Sequence, residues 1–223
     1  MYQNPYIKLA PLTRKPYTEI FLIRHCHPDY AQEKKVGEHN MPLSEIGFKQ
    51  RGQLTKHLLK LDIDKIYVSG LVRAQETAFE YASLTKKKMI LDERLDEIDW
   101  TDWCKIKYFN MSEKTRAKKL KNHARLDRQL NKMQTVARRA LADIFRHGRG
   151  KNIAIFSHGN FIKALLTGIL NADVIGFLSL EIFQSSISKL VIDRDGYIKI
   201  AYINDASHLP EAPDKDMFIT LKD

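Results

Sequence analysis

The 223-residue sequence predicts an α/β fold with an open, mostly parallel sheet. Three short apolar runs predict it. Ile20-Phe21-Leu22-Ile23 leads into Arg24-His25, Lys65-Ile66-Tyr67-Val68 leads into Ser69, and Ile153-Ala154-Ile155-Phe156 leads into Ser157-His158-Gly159. Each run is continuous, short and rich in β-branched or aromatic residues, the pattern of a strand buried on both faces. In such a sheet ligands bind outside the carboxyl ends of the strands. Both histidines, far apart in sequence, are therefore expected at one crevice.

The elements follow in order. The first strand spans about Glu19 to Arg24. Residues Pro28 to Pro42 read as a polar loop, and Ser44 is placed to N-cap a helix running to about Leu61. Ile66 to Ser69 forms a second strand. It feeds a helix through about Leu84 whose first turn carries Arg73, where free N–H groups and the helix dipole favour anions. Lys88 to Leu91 is a third strand, and Glu93 to Trp103 an acidic, aromatic loop. Leu126, Leu130, Met133, Ala137, Leu141, Ile144 and Phe145 share helical spacing and form a core face, ended by Gly148-Arg149-Gly150. The strand Asn152 to Phe156 and the helix Phe161 to Leu170 make another βα unit. Ser186 to Ile192 and Tyr197 to Ile203 form a hairpin around Asp195-Gly196. The tail beyond Leu209 is polar and loose.

Composition is that of a globular chain, 43% hydrophobic and 29% charged. No apolar stretch reaches the roughly 20 residues a membrane helix needs, and no signal-peptide core precedes Tyr17. Two cysteines, Cys26 and Cys104, argue against a disulfide scaffold and fit a reducing, cytoplasmic setting. The net charge of +10 is concentrated: between Cys104 and Lys151 fifteen Lys and Arg face three acids. A solvated helical face accounts for this. A basic lid that draws in anions is the sharper alternative, whereas no motif or aromatic interleaving supports nucleic-acid binding.

Arg24, His25, Arg73 and His158 together make a cage suited to a phosphoryl group, with guanidinium forks matched to its oxygens. Arg24-His25-Cys26, Ser69-Gly-Leu-Val-Arg73-Ala-Gln-Glu-Thr-Ala, Leu95-Asp-Glu97-Ile-Asp and Ser157-His158-Gly159-Asn160 stand in an order that resembles the histidine phosphatase (phosphoglycerate mutase-like) superfamily, on its phosphatase branch. Pro42 to Gln50 and Asn204 to Leu209 are similar to smaller family segments. The resemblance implies a three-layer α/β/α sandwich forming a single domain over residues 1–223. Its core is expected at about 18–209, with a basic helical insertion or lid at about 104–149.

The resemblance further implies a phosphomonoester hydrolase of the histidine acid phosphatase type. His25 would be the nucleophile, forming a covalent phosphohistidine, and Glu97 the general acid. Arg24, Arg73, His158, Gly159 and Asn160 would bind the phosphoryl oxygens of a phosphorylated metabolite. It implies no cofactor, metal or membrane partner. Asp96, Asp99 and Asp102 compete with Glu97 for the acid's role. Cys26 stands where the family commonly has Gly, and Asn160 replaces a common second Gly. Thr101, Cys104 and Lys105 break the usual continuation after the acid, and the Asn expected in mutases falls at Ala31. These departures weaken a phosphoglycerate mutase-type phosphotransferase, the first alternative. A catalytically weak phosphate-binding scaffold of the same fold is the second. Cys26 reads as a reactive thiol lowered by Arg24 and His25, or as a small buried filler. His25-Cys26-His27 has the His-x-His form of metal-dependent amidohydrolases, but the chain is short for that barrel and Arg24 would repel a cation. Ser157-His158 lacks the frame of a nucleophile elbow.

Overall fold

The computed structural model describes residues 16–98, 112–121 and 123–210. Asp99, Trp100, Thr101, Asp102, Cys104 and Lys105 lie outside them, as do the N-terminal stretch and most of the tail. In chain order the elements are β1 (Thr18–Arg24), α1 (Glu33–Val36), α2 (Glu45–Leu58), β2 (Lys65–Val68), α3 (Val72–Thr85), β3 (Met89–Leu91), α4 (Glu113–Leu120), α5 (His123–His147), β4 (Asn152–Ser157), α6 (Gly159–Ile169), α7 (Val174–Ser179), β5 (Ile187–Ile192) and β6 (Ile198–Asp205).

The sheet order is β3-β2-β4-β1-β5-β6. The first four strands are parallel, and β5 and β6 add an antiparallel hairpin. Its turn is built by Asp193, whose Oδ1 accepts from the N–H groups of Asp195 and Tyr197. Gly196 supplies the positive φ, 94°.

Alternation along β1 separates two cores, as the two-residue period of a strand requires. Ile20 and Leu22 pack with Ala137, Leu141 and Ile144 of α5 and with Phe161, Ile162 and Leu165 of α6. Phe21 and Ile23 pack with Leu54 and Leu58 of α2 and with Ala74, Ala78 and Tyr81 of α3. Helices thus cover both faces, and the molecule is the three-layer α/β/α sandwich expected. Of the apolar stripe of α5, Ala137, Leu141, Ile144 and Phe145 lie in the first core and Leu126 and Leu130 in a smaller cluster with Ala164, Val174 and Phe177, while Arg128, Lys132, Arg139 and Arg146 are exposed on the other side of the helix. The stretch expected as a basic insertion or lid, about 104–149, therefore includes this core helix; residues 99–111 lie outside the described part.

Ser44 caps α2 as expected, its Oγ accepting from Gly47 N–H at 3.1 Å. Two short helices depart from the sequence reading. The loop expected from Pro28 to Pro42 contains a 3-10 turn (Tyr30–Gln32) and α1, because Asp29 accepts from both Ala31 N–H and the Gln32 side chain. α7 begins where Asp173 accepts from the N–H groups of Ile175 and Gly176. Asp29 thus caps the 3-10 turn and Asp173 caps α7, while α1, following directly on the turn, has no side-chain cap; both helices are too short to show a helical period.

Candidate active site

Strands β1, β4 and β2 lie side by side, and their carboxyl ends coincide. Arg24 is in register with Ser157, and Val68 with Phe156. His25 N–H continues the ladder to the Ser157 carbonyl at 2.9 Å, and Ser69 N–H to the Phe156 carbonyl at 3.0 Å. This geometry brings His25 and His158 together with ring centroids 5.1 Å apart, both buried.

His25 has a defined tautomer. Its Nδ1 lies 2.7 Å from the Cys26 carbonyl. A carbonyl only accepts, so Nδ1 carries the proton and Nε2 keeps its lone pair. Burial, then the charges of Arg24 and Arg73, push His25 well below the usual imidazole range. The ring is neutral at pH 7, the form a nucleophile requires.

His158, at the start of α6, is likewise pushed well below its usual range, by burial, His25, Arg73 and Arg24. Its Nε2 lies 2.7 Å from Ser69 Oγ, which in turn donates to Asp96 Oδ1 at 2.7 Å. The sequence reading did not single out Ser69; only its place at the end of β2 could have marked it. Asp96, considered as a rival acid, is committed to Ser69 and to Gly70 N–H.

Arg73 enters from the first turn of α3 and is buried. It donates to the Glu38 carbonyl at 2.7 Å and pairs with the Glu38 carboxylate at 3.4 Å. Arg24 donates to the Ile182 carbonyl. A Cβ on Gly159 would stand 3.2 Å from Arg24 Nε, so the missing side chain lets the guanidinium lie against the start of α6. Arg24 Nε and His158 Nδ1 are both buried and have no hydrogen-bond partner among the described residues. Buried polar atoms of this kind call for an explanation, and they mark Arg24 and His158 as candidate ligand-binding groups.

Glu97 joins the cluster because Ser157 Oγ donates to the Leu95 carbonyl at 2.6 Å, tying its segment to β4. Its carboxyl accepts from the N–H groups of Ile98, Asn160 and Phe161 at 3.0, 3.2 and 3.3 Å. Burial pushes it up, against the opposing pull of Arg24, of the N–H groups of Ile98 and Asn160, and of Arg73. The backbone N–H of Asn160, a residue expected to bind substrate, is thus occupied by Glu97. Cys26 is fully buried, and burial pushes its thiol up to about 12. That fits the buried filler and corrects the reactive-thiol reading. Its N–H donates to Thr77 Oγ1, which donates to the Arg73 carbonyl, linking β1 to α3.

The family model for the histidine phosphatase superfamily (branch 1) matches residues 20–206. The chain belongs to this superfamily. A Schizosaccharomyces pombe protein named as a probable phosphatase is 28% identical over 203 residues, covering 86% of this chain and 95% of its own length. A protein of Enterobacter sp. (strain 638) named as a probable phosphoglycerate mutase GpmB is 25% identical over 210 residues, covering 89% and 97%. Among solved structures, phosphoserine phosphatase from Entamoeba histolytica in complex with 3-phosphoglyceric acid has a TM-score of 0.68 at 22% identity, covering 86% of this chain and 99% of that one. This likeness shows the phosphoglycerate mutase-like fold. Among the described residues no helix is long and apolar enough to cross a membrane.

Proposed function

We propose that this histidine phosphatase superfamily member hydrolyses phosphate monoesters through a phosphohistidine on His25, in the manner of histidine acid phosphatases. The observation that carries the reading is the single tautomer of His25, neutral and with Nε2 open, beside His158, the buried Arg73 and the half-buried Arg24. Nε2 attacks phosphorus as the P–O bond to the leaving group breaks. Arg24, Arg73 and His158 hold the three remaining oxygens, where preorganised donors can each be worth roughly 3–4 kcal/mol. Glu97, raised by burial, gives its proton to the departing oxygen. Its carboxylate then takes a proton from water, whose oxygen attacks phosphorus; phosphate leaves and His25 is restored. To act, Glu97 must exchange its backbone partners at α6 for the leaving group.

The substrate class is a small phosphorylated metabolite. The Entamoeba histolytica relative, solved with phosphoserine and with 3-phosphoglyceric acid, supports this class. The paucity of cysteine supports a cytoplasmic place of action. The test is hydrolysis of an aryl phosphate and a panel of metabolite monoesters by the wild-type protein and by His25→Ala. Phosphate release by the first and none by the second supports the reading. Transfer of the phosphoryl group to a second hydroxyl instead of water establishes the mutase alternative. Equal inactivity of both proteins across the panel leaves a binding domain.

A further inference from the structure

We propose that Asp96 is a positioning residue that acts through Ser69 on His158, holding its Nε2–H tautomer so that Nδ1 is the ring atom available to the phosphoryl group. The inference rests on the function proposed above.

The hydrogen-bond inventory of Ser69 Oγ carries it. A serine hydroxyl has one proton to give and two lone pairs. Three groups surround this oxygen: Asp96 Oδ1 at 2.7 Å, His158 Nε2 at 2.7 Å and Leu71 N–H at 3.1 Å. The carboxylate can only accept, so the single proton goes to Asp96. Leu71 N–H fills one lone pair, and the other must be filled by a proton on His158 Nε2. The neutral ring then has its lone pair on Nδ1, the buried atom without a partner among the described residues.

Asp96 cannot easily turn away. Its Oδ1 also accepts from Gly70 N–H at 2.6 Å. The amide at the turn into α3 thus pins the carboxylate from the other side. The charged and titratable groups facing the His158 ring are Arg24 at the end of β1, His25 just after it, Arg73 on α3, and Asp96 through Ser69. Both guanidinium groups oppose a positive charge on His158. Asp96 is the anion hydrogen-bonded toward this ring. When a monoanionic ester enters, its P–OH proton can pass to Nδ1, breaking one O–H bond and forming one N–H bond with total charge unchanged. The resulting imidazolium donates to the phosphoryl group through Nδ1, and its Nε2–H stays on the Ser69–Asp96 chain. This generalises the orienting-carboxylate logic of catalytic triads, with a hydroxyl interposed.

The experiment uses the full chain and three variants, Asp96→Asn, Asp96→Glu and Ser69→Ala, with circular dichroism to confirm folding. Nitrogen-15 NMR of histidine-labelled protein without substrate, assigned with His158→Gln, reads the tautomer independently of turnover. The expected result is Nε2–H in the wild type and its loss in Ser69→Ala. With an aryl phosphate, kcat should fall about ten- to a hundredfold in Asp96→Asn and Ser69→Ala. That is less than the ~10⁴ of an orienting carboxylate in direct contact. KM should change little, the kcat–pH profile should shift, and Asp96→Glu should recover part of the loss. A purely structural role would lower stability without moving the tautomer or the pH profile. An Nδ1–H tautomer in the wild type overturns the proposal, as does a wild-type pH profile and kcat in both variants. Absence of phosphatase activity in the wild type strikes the parent function instead, and the NMR readout still decides the tautomer.

Discussion

The His25 and His158 rings stand 5.1 Å apart at the ends of β1 and β4, although 132 intervening residues separate them in the chain. Adjacent parallel strands impose this proximity. Arg24 and Ser157 are register partners, so the residue after each strand emerges at the same edge of the sheet. Both imidazoles are buried and held neutral beside Arg24 and Arg73, so under the proposed function no proton must leave before Nε2 of His25 attacks.

Arg73 should matter for turnover far more than for folding. It is buried, yet its partners are a main-chain carbonyl and a carboxylate from Glu38, whose side chain is 64% exposed. Arg73→Ala should reduce kcat/KM by about 10²–10³, the worth of one preorganised donor in an enclosed site. Steady-state kinetics with a parallel urea titration checks this; near-normal activity removes Arg73 from the phosphoryl cage.

Glu97→Gln separates proton donation from packing. The amide keeps the shape of the carboxyl but cannot protonate a leaving oxygen. Hydrolysis of an alkyl phosphate should fall about 10²–10⁴-fold, the usual range for general acid catalysis. An aryl phosphate with a good leaving group should lose much less. Equal losses on both substrates would assign Glu97 a binding role.

Stability should decline on mild acidification. His25, His158 and His208 all sit below the usual imidazole range; His208 is lowered to about 4, by burial and then His57. Below about pH 6.5 the unfolded chain takes up protons that the folded chain refuses. Stability is therefore fully present above that pH and falls as pH drops toward the folded values. Each fully buried imidazole steepens the slope by up to about 1.4 kcal/mol per pH unit, and the partly exposed His208 by less. Urea titrations at pH 7.5, 6.0 and 5.0 should show the decline, with a shallower slope in His208→Gln. A flat profile contradicts the neutral-imidazole assignment.

Cys26 should be inert in the native protein, because burial disfavours its thiolate. In a Cys104→Ser background an aromatic disulfide reagent at pH 8 should react only after denaturant is added. Rapid native reaction would show an accessible thiolate and a different packing beside His25.

The clustering of Arg24, His25, Arg73 and His158 was legible in the sequence because Arg24, His25 and His158 each follow an apolar run and Arg73 opens a helix, and these signals are local. The sandwich was legible because the strand runs and the α5 stripe have clear periods. The polar contacts that complete the site were not. Ser69 meets His158 across neighbouring strands, Asp96 reaches Ser69 from a segment 27 residues later, and Glu38 covers Arg73 from a loop. No spacing encodes such cross-chain hydrogen bonds. Glu97 was found by its motif, but its contact with the N-terminus of α6 depends on Ser157 anchoring Leu95. The short helices α1 and α7 were missed because fewer than two turns leave no repeat to read, and α1 has no side-chain cap to mark its start.

The most direct measurement of the central claim is an acid or base quench during turnover of a substrate carrying a labelled phosphoryl group, followed by peptide mapping. The account predicts label in alkali-stable, acid-labile form on the peptide containing His25, and none in His25→Ala. Sustained hydrolysis by the wild type with no trapped label, or turnover that survives His25→Ala, would contradict it.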